Sequence, residues 1–367
     1  MEPLIYPTVA ICALFLSVAC GNGSSMIGTD AATTAGNGGS AFGGTGGGSL
    51  AGAGGATPDG GHNSPTGGAG GQGGTVNLSG GARAGSGGTP GSGGAADSGT
   101  HTITEFTISA AYCAPNGITA GSDGNLWFTE FLGNRIGRIT TAGAITEFSI
   151  PTGASNPYGI ARGPDDNLWF VEASGNKIGR ITTIGSITEF PLPTAGSVPY
   201  SIVSGPDGEV WFSENNSKIG QISTTGTVTE FVVPAAVGSE TTGAKPRGIA
   251  AGPDGNLWFT NQGGGFVGYI STSGIITQFK VPTTGSQPYD ITTGPDGNLW
   301  FTESASSKVA RITTTGTVTG FSLPSSGASP LIITKGPNST LWFTENFSNS
   351  IGRIATNGII SEYPLPT

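Results

Sequence analysis

Five glutamates, Glu130, Glu172, Glu214, Glu303 and Glu345, close five copies of one phrase, read first as Leu126-Trp127-Phe128-Thr129-Glu130. A second recurring position follows a proline and holds Asn116, Tyr158, Tyr200, Arg247, Tyr289 and Leu331. Carboxylates repeated around one axis make a candidate site for a cation or a polar ligand, and two held close together raise each other's pKa. The structural alternative is that each accepts hydrogen bonds from a neighbouring turn, or pairs with Arg135, Lys177, Lys218 or Lys308 on the next strand. Asn116, Tyr158, Tyr200, Arg247 and Tyr289 form the candidate binding face. An aromatic ring that carries a hydroxyl suits capture of a glycan, a peptide or another small molecule; otherwise these side chains pack loops. No confident catalytic residue emerges. The histidines are His62 and His101, and the cysteines Cys12, Cys20 and Cys113 have no zinc-ligand spacing.

These residues are positioned by a repeat. The six tryptophans lie 42, 42, 47, 42 and 42 residues apart, all in copies of the same phrase. One period reads Pro115 to Ala120, a tight turn at Asp123-Gly124, Leu126 to Thr129, a turn near Gly133-Asn134, Arg135 to Thr140, and Ile145 to Phe148. Asp-Gly suits such a turn because both residues tolerate positive φ. Four short strands in about 42 residues, with no helical periodicity, predict an all-β fold: a β-propeller of four-stranded antiparallel blades. Six blades are detectable. The strand phrase His101 to Phe106 precedes the first full repeat, so the alternative is an incomplete seven-bladed design. The fourth repeat is irregular: it has a longer entry between 232 and 246, Arg247 in place of tyrosine, and Asn261 in place of glutamate. Insertions in repeat arrays collect at one face, which is often the binding face; the alternative is tolerated loop drift.

Composition narrows the function classes. A formal net charge of -9, with only 14 Lys and Arg in 367 residues, gives no support for nucleic-acid binding. Residues 7–19 form an apolar run too short for a lasting membrane span, and Cys20 follows at once. Residues 1–20 therefore read as a lipoprotein-like signal segment with Cys20 as the lipidation site. The expected location is outside the cytoplasm, as a bacterial cell-envelope lipoprotein or a secreted protein, with membrane contact through the lipid alone. Residues 21–100 read as a disordered tether: 31 of the 80 are glycine, too little apolar surface to offset the entropy of ordering. Residues 101–367 are the propeller. With Cys12 removed and Cys20 lipidated, Cys113 is expected to be a buried small hydrophobe with no disulfide. Nothing in the sequence sets an oligomeric state.

The period Pro-Tyr-Gly-Ile … Gly-Pro-Asp-Gly-Asn-Leu-Trp-Phe-Thr-Glu … Lys-Ile-Gly-Arg-Ile-Thr-Thr resembles the streptogramin B lyase (virginiamycin B lyase) family over residues 103–367. The resemblance implies a seven-bladed propeller that linearises cyclic depsipeptide antibiotics by Mg2+-dependent elimination at the ester. It also implies histidines after the proline in two neighbouring repeats, one of them preceded by Glu-Pro. None of the six positions after proline here is histidine, and the positions before it, Ala114, Asn156, Val198, Lys245, Gln287 and Ser329, include no glutamate. The strand-end glutamates do match. The sequence therefore points to an exported, surface-tethered propeller acting as a ligand-binding or interaction module without streptogramin lyase activity and with no cofactor. The alternative is the lyase itself, a carbon–oxygen lyase with Mg2+ held by the surviving glutamates.

Overall fold

The computed structural model describes residues 74–78, 101–108, 113–235 and 243–365. Six four-stranded antiparallel sheets follow one another along the chain, each with its strands in sequence order. Blade one consists of Pro115–Ala120, Leu126–Glu130, Arg135–Ile139 and Ile145–Ser149. Blades two to six span 157–191, 199–232, 246–280, 288–322 and 330–364. The expected propeller of six detectable blades is what the chain forms.

Every first strand carries a register shift just after its proline: in blade three Pro199 lies opposite Glu214, and pairing resumes with Ile202 opposite Phe212. The bulge turns the residue after proline out of the ladder. The second strand then pairs regularly with the third, and in blades one, two, three and five the strand-end glutamate faces a base, as Glu214 faces Lys218, whereas Glu345 of blade six faces Ser350.

Packing between blades explains the repeated phrase. In one cluster Trp169, Val171, Ile178 and Leu192 of blade two meet Ile202, Val210, Phe212 and Ile222 of blade three. Within each blade the indole stacks on the outer-strand ring, Trp169 on Phe190 at 5.5 Å. In blades one to five the indole N–H is satisfied by the turn, with Trp169 Nε1 donating to Asp165 at 2.9 Å and Trp300 Nε1 to Asp296 at 2.9 Å. The aspartate of the Gly-Pro-Asp turn thus caps the buried indole as well as shaping the hairpin. In every blade but the fifth, where Ala310 takes the place, the phenylalanine of the phrase lies on a third-strand glycine; a Cβ on Gly179 would stand 2.1 Å from the Phe170 ring.

The first strands of blades one to six stand side by side in order around an axis, but no comparable contact joins blade six to blade one. Two further strands precede blade one: β1, Gly74–Leu78, and β2, His101–Glu105, paired antiparallel. The tract expected to be a structureless tether therefore contains a strand. The rest of it, with the signal segment, His62 and Cys20, lies outside the described residues. Cys113 is fully buried, as expected, but disulfide-bonded, which corrects the reading of an unpaired thiol. That reading rested on losing both other cysteines from the mature chain.

Candidate functional site

The proline-led first strands bring one end of every blade to the same mouth of the axis. An axial cavity of about 180 Å³ is lined there by Asn116, Tyr158, Tyr200, Tyr289, Asp290 and Thr334, among others. Four of the five candidate binding residues converge. The rings of Tyr158 and Tyr200 lie 4.2 Å apart, and Tyr289 stands perpendicular to Tyr200 at 5.9 Å, its hydroxyl hydrogen-bonded to that of Tyr200. The Arg247 guanidinium sits over both, 4.2 Å from the Tyr200 ring and 4.9 Å from that of Tyr289. A cation over aromatic faces is held by their quadrupoles. Arg247 Nε also donates to Gln262 Oε1 at 2.8 Å, so the irregular fourth repeat supplies both the cation and its support. Asn116 lines the cavity but is exposed, and Leu331 is half-buried.

Burial, with Tyr289 and Tyr158 adding, holds the Tyr200 hydroxyl well above its ordinary pKa against the opposing pull of Arg247. Burial likewise pushes Tyr289 up to about 12. Both hydroxyls therefore stay protonated near neutral pH: they are hydrogen-bond donors and acceptors, not bases. The carboxylate of the cavity wall belongs to Asp290, which takes the place of glycine in Pro-Tyr-Gly-Ile. Its Oδ2 accepts from Ile333 N at 2.9 Å, across to the next blade. Burial raises its pKa to about 6, with the amides of Ile333 and Ile291 pulling the other way. Sequence reasoning passed over Asp290, although its break from the repeat's glycine was the available signal.

The structure does not gather the five glutamates. Each is buried within its own blade, near the turn that joins the second and third strands. Glu130 lies 3.8 Å from Arg135, a base expected to pair with it. Lys177 and Lys218 turn instead to the outer-strand carboxylates, Glu189 at 2.8 Å and Glu230 at 2.5 Å. Lys308 reaches Thr283 at 3.4 Å. Ser306 and Ser348, in the turns, donate to Glu303 at 3.0 Å and Glu345 at 2.6 Å. Burial is the first cause of raised pKa values at Glu130, Glu214 and Glu345, each about 7, and at Glu172, about 8. The second-strand and outer-strand carboxylates of one blade repel, as Glu172 and Glu189 do. Among the described residues no group of three or more acidic, histidine or cysteine side chains could hold a metal ion. The mouth itself presents a guanidinium, and the oxygens of Asp290 face backbone amides. These residues do not fit a bound Mg2+. His101 opens β2, an outer strand, and is no part of the first-strand set.

The profile of the virginiamycin B lyase family matches residues 95–239 and 236–367. Selenomethionine-substituted virginiamycin B lyase from Staphylococcus aureus is similar in structure, with 42% identity and a TM-score of 0.65, over 69% of this chain and 85% of that one. A streptogramin B lyase shows 38% identity and a TM-score of 0.67, over 71% and 86%. A catalytically inactive histidine-to-alanine variant of the Staphylococcus aureus enzyme, solved with quinupristin, shows 42% identity and a TM-score of 0.65, over 68% and 84%. No curated protein matches the chain.

Proposed function

The chain belongs to the virginiamycin B lyase family, and we propose that it captures a cyclic depsipeptide of the streptogramin B class at the mouth of its axis without opening the ring. One observation carries this reading: Tyr158, Tyr200, Tyr289 and Arg247 converge over the axial cavity. Three tyrosine rings and one fixed cation complement a ligand made of aromatic rings, amide carbonyls and an ester. Elimination at an ester needs a base for the proton next to the developing double bond. The six first-strand positions hold no histidine, and the two cavity tyrosines with raised pKa values stay protonated. The lipoprotein-like start and glycine-rich tract support a surface-tethered, exported form that meets such ligands outside the cell.

The family match favours a second reading, ring opening itself. Asp290 would then take the proton, the C–O ester bond would break, its electrons leaving with the carboxylate, and a C=C bond would form. Incubation of the purified protein with quinupristin separates the two. Calorimetry is expected to show 1:1 binding that weakens about tenfold or more in Arg247→Ala, from loss of the cation and of its contacts. Chromatography is expected to return the ring intact, with or without Mg2+. Ring opening that disappears in Asp290→Asn would replace the first reading with the second, and absence of binding would end both.

A further inference from the structure

In blades two and three a triangle of polar groups ties the outer strands to the loop that enters the blade. Thr152, in the loop entering blade two, donates its amide to Glu189 Oε1 and its hydroxyl to Glu189 Oε2, each at 2.9 Å. Lys177 closes the triangle, its Nζ donating to Thr152 Oγ1 at 2.5 Å and to Glu189 Oε2 at 2.8 Å. Thr194, Glu230 and Lys218 repeat the arrangement in blade three. The ammonium thus lies among a hydroxyl and the outer-strand carboxylate, on a residue paired with the buried strand-end glutamate.

Blade six keeps two corners of this triangle and loses the third. Ser325 donates its amide to Glu362 Oε1 at 3.0 Å and its hydroxyl to Glu362 Oε2 at 2.7 Å, as Thr152 does to Glu189. The place of the lysine is held by Ser350, opposite Glu345. Ser350 pairs in turn with Pro364, two residues beyond Glu362, so Glu345, Ser350 and Glu362 share one face of the sheet. Blades two and three set two carboxylates against one base. Blade five sets one against one, because Gly320 replaces the outer glutamate. At these places blade six sets two carboxylates against no base. Glu345 is 2% exposed; its Oε2 accepts from Ser348 at 2.6 Å, and its Oε1 has no partner among the described residues. Burial raises its pKa to about 7, with the Ser348 hydroxyl opposing and the Glu362 carboxylate adding, so the two carboxyl groups stand close enough to repel. The Ser350 hydroxyl donates to Ser348 O at 3.0 Å and keeps its lone pairs for a further contact.

We propose that blade six binds a divalent cation of calcium size in the place that the lysine ammonium holds in blades two and three. Its protein ligands are Glu345 Oε1, the Glu362 carboxylate and the hydroxyl oxygens of Ser325 and Ser350, with water completing the shell. Ca2+ accepts about six to eight oxygens at roughly 2.3–2.6 Å in a flexible geometry. The ammonium of Lys177 takes its oxygens at 2.5 and 2.8 Å, so the vacated corner has the right dimensions. Mg2+ demands a near-ideal octahedron at roughly 2.0–2.1 Å, which carboxylates on separate strands and short serine side chains do not supply. Two positive charges also match the two carboxylates, where one ammonium would leave a negative charge in a buried setting. The site shares no residue with the axial cavity. Its cation joins the second, third and outer strands of blade six to the loop from blade five, and so does the structural work of the missing lysine.

Calorimetric titration of Ca2+ into the chelator-stripped full chain at pH 8, with thermal melts in parallel, tests the proposal. One Ca2+ per chain is expected, with a Tm rise of roughly 5 °C at about a hundred times Kd. Glu362→Gln should weaken binding about tenfold or more by removing one of the two charges. Ser350→Lys restores the ammonium of blades two and three; it should abolish both the binding and the Ca2+-dependent rise, with a metal-free Tm no lower than that of the unaltered chain. Absence of Ca2+ binding overturns the proposal. So does binding that is undiminished in both variants, or a Tm rise that NaCl of the same ionic strength reproduces.

Discussion

Replacing Glu172 by glutamine asks directly whether the repeated glutamate is charged for a purpose or only tolerated. Glu172 is fully buried, and the nearby Lys177 pairs with Glu189 instead. Burial first, then repulsion from Glu189, raises its pKa from 4.5 to about 8, with Lys177 opposing. The folded state thus keeps a proton that the unfolded chain releases above pH 4.5 or so. The stability carried by the protonated carboxyl is complete below that pH and is lost as pH rises through about 8. At about 1.4 kcal/mol per pKa unit the ceiling is roughly 5 kcal/mol, and sharing with Glu189 and local relaxation bring it to about 2 kcal/mol. Glutamine is neutral at every pH, so Glu172→Gln should gain that amount at pH 9 and almost nothing at pH 5. For a propeller of this size the gain is a Tm rise of roughly 4–8 °C at pH 9. Differential scanning calorimetry at the two pH values reads it. A lower Tm at pH 9, or an equal shift at both, would refute the burial argument and mean that the folded state uses the ionised carboxylate.

Two other expectations follow from the packing and the cysteines. Gly179→Ala places a methyl about 2.1 Å from the Phe170 ring; the blade must shift, and a loss of about 3 kcal/mol, a Tm drop of roughly 6–12 °C by thermal melt, is expected. Cys113 is disulfide-bonded. Cys113 in the full chain should resist alkylation after unfolding until a reductant is added. Alkylation without reductant would refute the disulfide.

The repeat made the fold legible because each blade faces one and the same packing problem. The Trp-Phe pair, the glycine under the ring and the Asp-Gly turn therefore recur in register, and period and type could be read together. The mouth was legible in part: the position after proline is set off by the bulge, so Tyr158, Tyr200, Arg247 and Tyr289 could be picked out as a group. Their stacking order could not, because it depends on the positions of different blades around the axis. The glutamates misled for the opposite reason. Recurrence at one strand position suggested one shared site, yet the same geometry that repeats them keeps them in separate blades. Which partner Lys177 chooses turned on a few ångströms across one blade, which spacing along the chain does not encode. β1 was invisible because its alternation, Val76 and Leu78 between Thr75 and Asn77, is too short to stand out in a glycine-rich tract.

Blade four shows how the repeat accommodates a cation at the mouth. In blades one, two and three a base opens the third strand and two glutamates flank it, as Glu172, Lys177 and Glu189 do. In blade four all three change together, to Asn261, Phe266 and Gln278. Asn261 Nδ2 donates to Gln278 Oε1 at 3.0 Å, and its own Oδ1 accepts from Lys245 N at 2.8 Å. Removing the base alone would leave a buried and a half-buried carboxylate repelling each other, as Glu345 and Glu362 do in blade six, where Ser350 stands in place of the base. Removing all three replaces them with a neutral amide pair whose hydrogen bonds are internally satisfied. The same blade carries Arg247, one residue beyond the proline that pairs with Asn261. With neutral amides at those two places, the blade that presents the guanidinium to Tyr200 and Tyr289 sets no glutamate pair beside it. The irregularity of the fourth repeat is thus a coordinated change rather than loop drift. It turns one copy of a structural unit into the charged corner of the mouth.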